Sequence, residues 1–277
     1  MPGLMGHEAS FCQSEWLGVT FSSLDVELSV TDLPTSDFYS AFYARLADKY
    51  GTYDNLPRDW RESKTSTSGT LANIIEANST VLSFGCGIGF VEYALAHKRP
   101  DLNIYCHDFA DVSGSWPIAN LDNVKLGETS AQSVESGGRK FDVIYLCQVL
   151  YAIPSEEAIK LLVRLAAHLN NGGLLVLINS SGVPEENGQD QEPDRAVGLQ
   201  QLAQSLMEVV KKFWRPLLVR TSRVQHPQFW GWQRDNRRYQ AIIEEAGLKS
   251  VDVFPASGQS FQLTRRVQDP RTQQGFR

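Results

Sequence analysis

Thr80-Val81-Leu82-Ser83-Phe84-Gly85-Cys86-Gly87-Ile88-Gly89-Phe90-Val91-Glu92 decides how the rest of this 277-residue chain is read. An apolar run suited to a buried strand breaks into three alternating glycines and then enters a helical pattern. Glycine lets a ligand lie against main chain that a side chain would hold away. The helix that follows offers unpaired N–H groups and the positive end of its dipole. A strand, a glycine turn and a helix early in an α/β region therefore predict a nucleotide-like ligand. The dinucleotide fingerprint needs G-x-G-x-x-G, with the third glycine inside the helix. Here the spacing is G-x-G-x-G and Phe90 follows, which disfavours a nicotinamide or flavin ligand. The bland rival is an ordinary tight strand-to-helix turn.

Outward from that turn, Leu102 to Asp108 reads as a second short strand ending in a carboxylate, nineteen positions after Gly89. That spacing suits an acid accepting hydrogen bonds from ribose hydroxyls. Asp111 is the alternative ligand, and a turn-capping aspartate the bland one. A third strand, Asn123 to Leu126, leads into Gly127-Glu128-Thr129-Ser130-Ala131. The fourth, Phe141 to Cys147, is apolar enough to be covered on both faces, and it runs into Gln148-Val149-Leu150-Tyr151. An amphipathic helix from Ser155 to Leu169 and a Gly172-Gly173 turn precede a fifth strand ending at Asn179. Asp235 or Asn236 caps a helix running through Glu245 and stopped by Gly247. Leu248 to Phe254 and Ser260 to Thr264 supply the last two strands.

Elements in this order resemble the class I, Rossmann-like, S-adenosylmethionine (SAM) dependent methyltransferases. The resemblance rests on Val81 to Gly89, on Asp108, on the Phe141-Asp142-Val143-Ile144 strand and on the Gly172-Gly173 turn. It implies an α/β fold with a doubly wound, seven-stranded, mostly parallel sheet and an antiparallel edge. It also implies SAM as cofactor and in-line methyl transfer. Carried onto this chain, the cofactor positions are Ser83, Phe84, Gly85, Cys86, Gly87 and Gly89 at the turn, with Asp108 and Phe109 at the ribose. Glu128 and Thr129 fall at the adenine, and Cys147 and Gln148 beside the methyl donor. In one place the chain departs from the family. The position two before the first glycine is usually Asp or Glu and here is Ser83, which brings no charge towards an ammonium or sulfonium. Glu92 is an acid near enough in sequence to replace it.

Outside the core, residues 1–70 read as an N-terminal extension, polar at first and draped over the core or disordered, followed by lid helices. A helix starts at Ser36 or Asp37. Residues 71–182 form the SAM-binding core, 183–232 an inserted substrate cap containing an amphipathic helix from Arg195 to Trp214, and 233–277 the closing helix, two strands and tail. Long insertions of this kind tend to be lids or binding loops. Tyr39, Tyr43, Trp60, Tyr151, Trp230 and Trp232 are the substrate-binding candidates, core packing being their rival reading. If the acceptor needs a base, the candidates are His226 in the cap and His107 at the end of the second strand. Tyr151 joins them in the catalytic set, while His168 suits a helix C-terminus better.

Composition narrows the function further. Lys plus Arg is 26 against 32 Asp plus Glu, a net charge of −6, which argues against non-specific nucleic-acid binding. The four cysteines lack C-x-x-C spacing, so no structural zinc or other metal is expected, and they read as reduced thiols. No secretory leader pattern and no apolar run near twenty residues are present, which gives a cytoplasmic, membrane-free expectation. The N-P-P-Y signature of amino-methylating nucleic-acid enzymes is replaced by Cys147-Gln148-Val149-Leu150. The reading is therefore a methyltransferase of small-molecule acceptors, on oxygen or nitrogen. Its rivals are a methyltransferase-like binding or scaffold protein without turnover and, less favoured, a nicotinamide-dependent oxidoreductase. Oligomeric state stays open, a homodimer included.

Overall fold

The computed structural model describes residues 6–110, 112, 116–126, 138–180, 227–256 and 258–266. Glu128, Thr129, Asp111, His226 and the reading of a cap helix at 195–214 lie outside the described residues. The elements in chain order are β1 (Glu8–Gln13), β2 (Glu15–Trp16), β3 (Val19–Thr20), α1 (Ser36–Tyr50), α2 (Arg58–Ile74), β4 (Thr80–Phe84), α3 (Phe90–Lys98), β5 (Asn103–His107) and β6 (Val124–Leu126). They continue with β7 (Phe141–Cys147), α4 (Ser155–Ala167), β8 (Leu169–Ser180), β9 (Gln228–Arg234), α5 (Asn236–Glu245), β10 (Leu248–Ala256) and β11 (Gln259–Arg266).

Seven strands form one sheet in the order β10-β11-β8-β7-β4-β5-β6. β4 runs parallel to β5 and β7, and β7 parallel to β8. β11 is antiparallel to both of its neighbours, so the sheet has the antiparallel edge that the sequence predicts. The chain winds outward from β4 to β6 and then restarts at β7 on the other side. That places a topological switch point between β4 and β7, and in open α/β sheets ligands bind at the carboxyl ends of the strands beside such a point.

Alternation along each strand sends side chains to two separate cores. Val81, Ile104, Val143, Val176 and Ile178 pack with the N-terminal aromatic residues on one face. Leu82, Ile144, Leu146, Leu175 and Leu177 pack with α4 and α5 on the other. Burying both faces is why the central strands read as continuous apolar runs.

Local chemistry sets the element ends. Thr35 caps α1 one residue before the expected Ser36 or Asp37, its Oγ1 accepting from Phe38 N at 3.2 Å. Asp235 caps α5, accepting from Arg238 N at 2.7 Å. The Gly172-Gly173 pair does not interrupt β8. Gly172 sits at φ 80° inside the strand, and the pairing register shifts between Phe141 and Val143 to absorb the irregularity. This is how a bulge accommodates extra chain in a ladder.

The N-terminal segment is draped over the core with defined structure. β1 pairs antiparallel with β9, from Glu8↔Arg234 to Gln13↔Gln228. Phe21 is fully buried against Phe38, Phe42 and Trp230. Among the described residues no helix is long and apolar enough to cross a membrane.

Candidate functional site

At the carboxyl ends of β4, β7 and β8 lies a cavity of about 320 Å³, walled by the glycine turn on one side and by aromatic side chains on the other. Gly85, Gly87 and Gly89 have φ of 79°, 56° and 75°, values that side chains disfavour. They serve different neighbours. A Cβ on Gly85 would meet Val149 Cγ2 at 2.5 Å, and one on Gly89 would meet Ile118 Cδ1 at 2.6 Å. Gly87 instead faces the cavity, where Tyr43 Oη would stand 3.4 Å from such a Cβ. Two of the three glycines therefore make room for the protein's own side chains, and the missing side chain of the middle one opens onto the cavity.

Asp108 braces this turn. Its Oδ2 accepts from Gly87 N at 2.7 Å and its Oδ1 from Ala110 N at 3.0 Å. The carboxylate is buried and does not line the cavity; burial raises its pKa against those main-chain hydrogen bonds. Positions 85–89 and 108 are thus in direct contact, but the acid points into the turn rather than across it.

Beneath the turn, Ser83 is buried on β4 and donates from Oγ to Glu92 Oε1 at 2.6 Å. Tyr145 Oη donates to the same oxygen at 2.7 Å. Glu92 stands in the first turn of α3, only 1 % exposed, and lines the cavity. Its Oε2 is buried without a hydrogen-bond partner. Burial drives its pKa up, opposed by the Ser83 and Tyr145 hydrogen bonds and by the charge of Lys64. Lys64, on α2, is 7 % exposed; its Nζ donates to Gln148 Oε1 at 2.8 Å and lies 3.6 Å from Cys147 Sγ. Gln148 holds the left-handed conformation at φ 55° and donates from its main-chain N to Ile178 O at 2.7 Å. Asn179, at the end of β8, adds an Nδ2 that is buried in the cavity wall without a partner.

Opposite stands the aromatic wall. Tyr39 and Tyr151 share a hydrogen bond between hydroxyls at 3.2 Å. Trp230 stacks on Tyr151 at 6.0 Å and on Phe21 at 5.0 Å, and Trp16 meets it edge-on at 5.7 Å. Burial pushes the Tyr151 phenol up to about 12, moderated by the Tyr39 hydrogen bond, and holds Tyr39 and Tyr43 well above the usual phenol range. At neutral pH all three are donors, not bases. Gly231 lets this wall close, since a Cβ there would fall 2.2 Å from Tyr151 O. Arg234, with its side chain fully buried, donates to Glu8 Oε2 at 2.6 Å, to Leu150 O at 2.5 Å and to Ile153 O at 2.7 Å. It ties β1, β9 and the segment after β7 into one piece.

The six aromatic candidates Tyr39, Tyr43, Trp60, Tyr151, Trp230 and Trp232 all line the cavity, with Gly85, Cys86, Gly87, Cys147 and Gln148. Ser83, Phe84, Gly89, Asp108 and Phe109 are not among the lining residues. Phe109 is 49 % exposed and meets Tyr39 edge-on. His107 is buried, its ring stacked on Phe84 at 4.5 Å, outside the lining. His168 stands at the end of α4, its Nδ1 against Arg139 O at 3.2 Å.

Lys64, Asn179 and the N-terminal residues Phe11, Gln13 and Trp16 are cavity residues that sequence reasoning passed over. Lys64 carried a signal: Trp60, Lys64, Thr67 and Leu71 recur at helical spacing, placing a lysine where the pattern wants an apolar residue.

Comparison with known proteins agrees with this architecture. A family model described as a methyltransferase domain matches residues 54–253. The tRNA N(3)-methylcytidine methyltransferase trm141 of Schizosaccharomyces pombe is 33 % identical over an alignment of 106 residues, covering 35 % of this chain and 42 % of that protein. A solved structure named as a candidate O-methyltransferase, from Nostoc punctiforme, superposes with TM-score 0.52 at 14 % identity, covering 86 % of this chain and 64 % of its own. PigF, solved with SAH, gives 0.50 at 13 % identity, covering 84 % and 60 %. The chain thus spans under half of the curated relative and less than two thirds of these solved chains. At such identities the structural likeness speaks for the fold.

Proposed function

The chain belongs to the methyltransferase domain family, and from that premise we propose that it transfers a methyl group from SAM to a small-molecule acceptor. The observation that carries this reading is the cavity itself: it joins a glycine turn at the switch point to an enclosing wall of tyrosines and tryptophans. A donor with a cationic centre and an amino-acid end fits the turn side. Gly87 leaves main chain open there, and Glu92 Oε2 and Asn179 Nδ2 are buried polar atoms still lacking a partner. Gly85, Cys86 and Gly87 would hold the donor from below, with Cys147 and Gln148 beside it. Asp108, proposed from the sequence for the ribose, would act on the donor from behind the turn, by fixing the Gly87 and Ala110 main chain. Glu128 and Thr129 remain the residues proposed for the adenine.

Bound there, SAM supplies a sulfonium methyl group, so that one bond forms to the acceptor as the carbon–sulfur bond breaks. The protein's work is placement. Holding reacting atoms about 3 Å apart and in line is worth several kcal/mol. Trp230, Tyr39 and Tyr151 would clamp a flat acceptor between rings, and whichever of the Tyr39 and Tyr151 hydroxyls does not donate to the other would orient its oxygen or nitrogen by donation. If the acceptor must lose a proton, His226 is the base proposed.

An acceptor on RNA is the competing reading, drawn from the curated relative. The net charge of −6 favours a small molecule, because RNA binding relies on a basic surface. The deciding assay is transfer from methyl-labelled SAM to a library of hydroxylated and amino-substituted aromatic compounds, run beside total tRNA. Labelled small-molecule product supports the proposal, and label only in tRNA overturns the acceptor class. No transfer to any acceptor despite SAM binding would favour a binding or scaffold protein.

A further inference from the structure

We infer that Glu92 and Lys64 form a two-charge clamp for an α-amino-acid zwitterion, Glu92 taking the ammonium and Lys64 the carboxylate of the donor. This rests on the donor-site reading above and assigns the end of the ligand that the motif's Ser83 cannot hold by charge. The first ground is an incomplete hydrogen-bond set. Glu92 lines the cavity; its Oε1 is satisfied twice, by Ser83 and Tyr145, while its Oε2 is buried with nothing donating to it. Burying a carboxylate oxygen without a donor costs several kcal/mol. A glutamine would accept the same two hydrogen bonds without burying a charge. What the acid adds is its charge, and a cation donating to Oε2 would complete the set.

The second ground is Lys64. A buried ammonium needs a partner, yet this one makes no ion pair with Glu92, although its charge is felt there, and it donates to the neutral amide of Gln148. Gln148 is held in a left-handed conformation while making that bond. Such strain in a non-glycine residue persists where the surroundings over-determine it. Both charges thus line one cavity, Lys64 from α2 and Glu92 from α3, without an ion pair joining them. A ligand bearing both signs on one carbon can complement the two, whereas a singly charged ligand leaves one of them unpaired and an apolar ligand leaves both.

Relative to the family pattern, the acid has moved from the strand to the facing helix. Ser83 stands where the acid usually is and hydrogen-bonds to the residue that replaces it.

The test is calorimetric titration of the full chain and of Glu92→Gln and Lys64→Met with two ligands. S-adenosylhomocysteine carries the amino-acid end, and 5′-methylthioadenosine keeps the adenosine and thioether without it. Each substitution should weaken S-adenosylhomocysteine by about tenfold or more, the loss of one charged hydrogen bond. Both should leave 5′-methylthioadenosine within about twofold. Decarboxylated SAM should bind Lys64→Met as it binds wild type, and bind Glu92→Gln more weakly. Equal losses for both ligands, or no loss for S-adenosylhomocysteine, overturn the clamp while leaving the donor site standing. A wild-type protein that binds neither ligand overturns the donor site and the clamp together. Should a variant fail to fold, wild type alone decides. S-adenosylhomocysteine must then bind at least about a hundredfold tighter than 5′-methylthioadenosine, and near-equal affinities refute the clamp.

Discussion

Replacing Gly231 with alanine tests how tightly the aromatic wall is built. The new Cβ would stand 2.2 Å from Tyr151 O and 2.9 Å from Tyr151 C, both main-chain atoms that cannot swing aside. Ordinary contact begins near 3.4 Å, so β9 and the segment after β7 must part by at least about 1 Å. Overpacking of this kind costs about 1–3 kcal/mol. The separation also loosens Arg234, which bonds to Leu150 O and Ile153 O on either side of Tyr151. Charged hydrogen bonds contribute about 1.5–3 kcal/mol each. Gly231→Ala should therefore destabilise the protein by about 3–6 kcal/mol and lower Tm by about 6–20 °C. Gly172→Ala is the control: its φ is also positive, at 80°, but nothing lies within 4 Å of a Cβ there. It should cost only about 1–2 kcal/mol of backbone strain. Thermal melts followed by circular dichroism, with tryptophan fluorescence reporting on Trp230, give both numbers. A Gly231→Ala protein that melts within about 2 °C of wild type would refute the contact on which this wall depends.

Three other outcomes follow from the same geometry. Asp108→Ala leaves the N–H groups of Gly87 and Ala110 without an acceptor, which should cost about 2–4 kcal/mol in a denaturant melt and weaken S-adenosylhomocysteine binding about tenfold or more; a wild-type melt would show that the acid does not brace the turn. Tyr151→Phe should lower kcat/KM less than about a hundredfold and leave the pH–rate profile below pH 10 unchanged, since the phenol sits at about 12 and does not act as a base; loss of a basic limb in that profile would contradict this. Burial raises the folded-state pKa of Glu92, so its contribution to stability is full below the ordinary carboxylate value and is lost as pH rises through the raised one. Melts of the unliganded protein across pH 4 to 8 should lose that falling component in Glu92→Gln, and an unaltered slope would show that Glu92 does not titrate there.

Much of the sheet was legible because its signals are local. β4, β7 and the glycine turn announce themselves within a few residues, and the two-sided burial of the central strands leaves an apolar run that is hard to mistake. The aromatic side chains that reach the cavity were legible for a related reason: large rings in a segment of otherwise modest hydrophobicity have few places to pack. β1 was not legible. Its partner β9 begins more than two hundred positions later, and nothing in Glu8-Ala9-Ser10-Phe11-Cys12-Gln13 names that partner. α2 falls largely within the stretch read as lid helices, but its bounds and its inward face were not legible, for the opposite reason. Its inward face carries Lys64, Thr67 and Ser68, all buried, where an apolar stripe would have marked a helix. Thr67 satisfies itself by bonding to Ser63 O and Gln259 Oε1, contacts that only the folded chain reveals. Asp108 was read as a ligand of something bound, whereas most of its visible work is structural.

The pairing of β1 with β9 has a bearing on biogenesis. During synthesis the glycine-turn side of the pocket can take shape once β8 has left the ribosome, because β4, β5, β7 and α3 precede it. The aromatic side cannot, since its roof needs Phe11 and Trp16 from β1 and β2 and Trp230 to Arg234 from β9. A nascent polypeptide would therefore pass through a stage in which the pocket has a floor and no ceiling. An affinity tag or truncation that disturbs the first strand would arrest the purified protein in much the same roofless form.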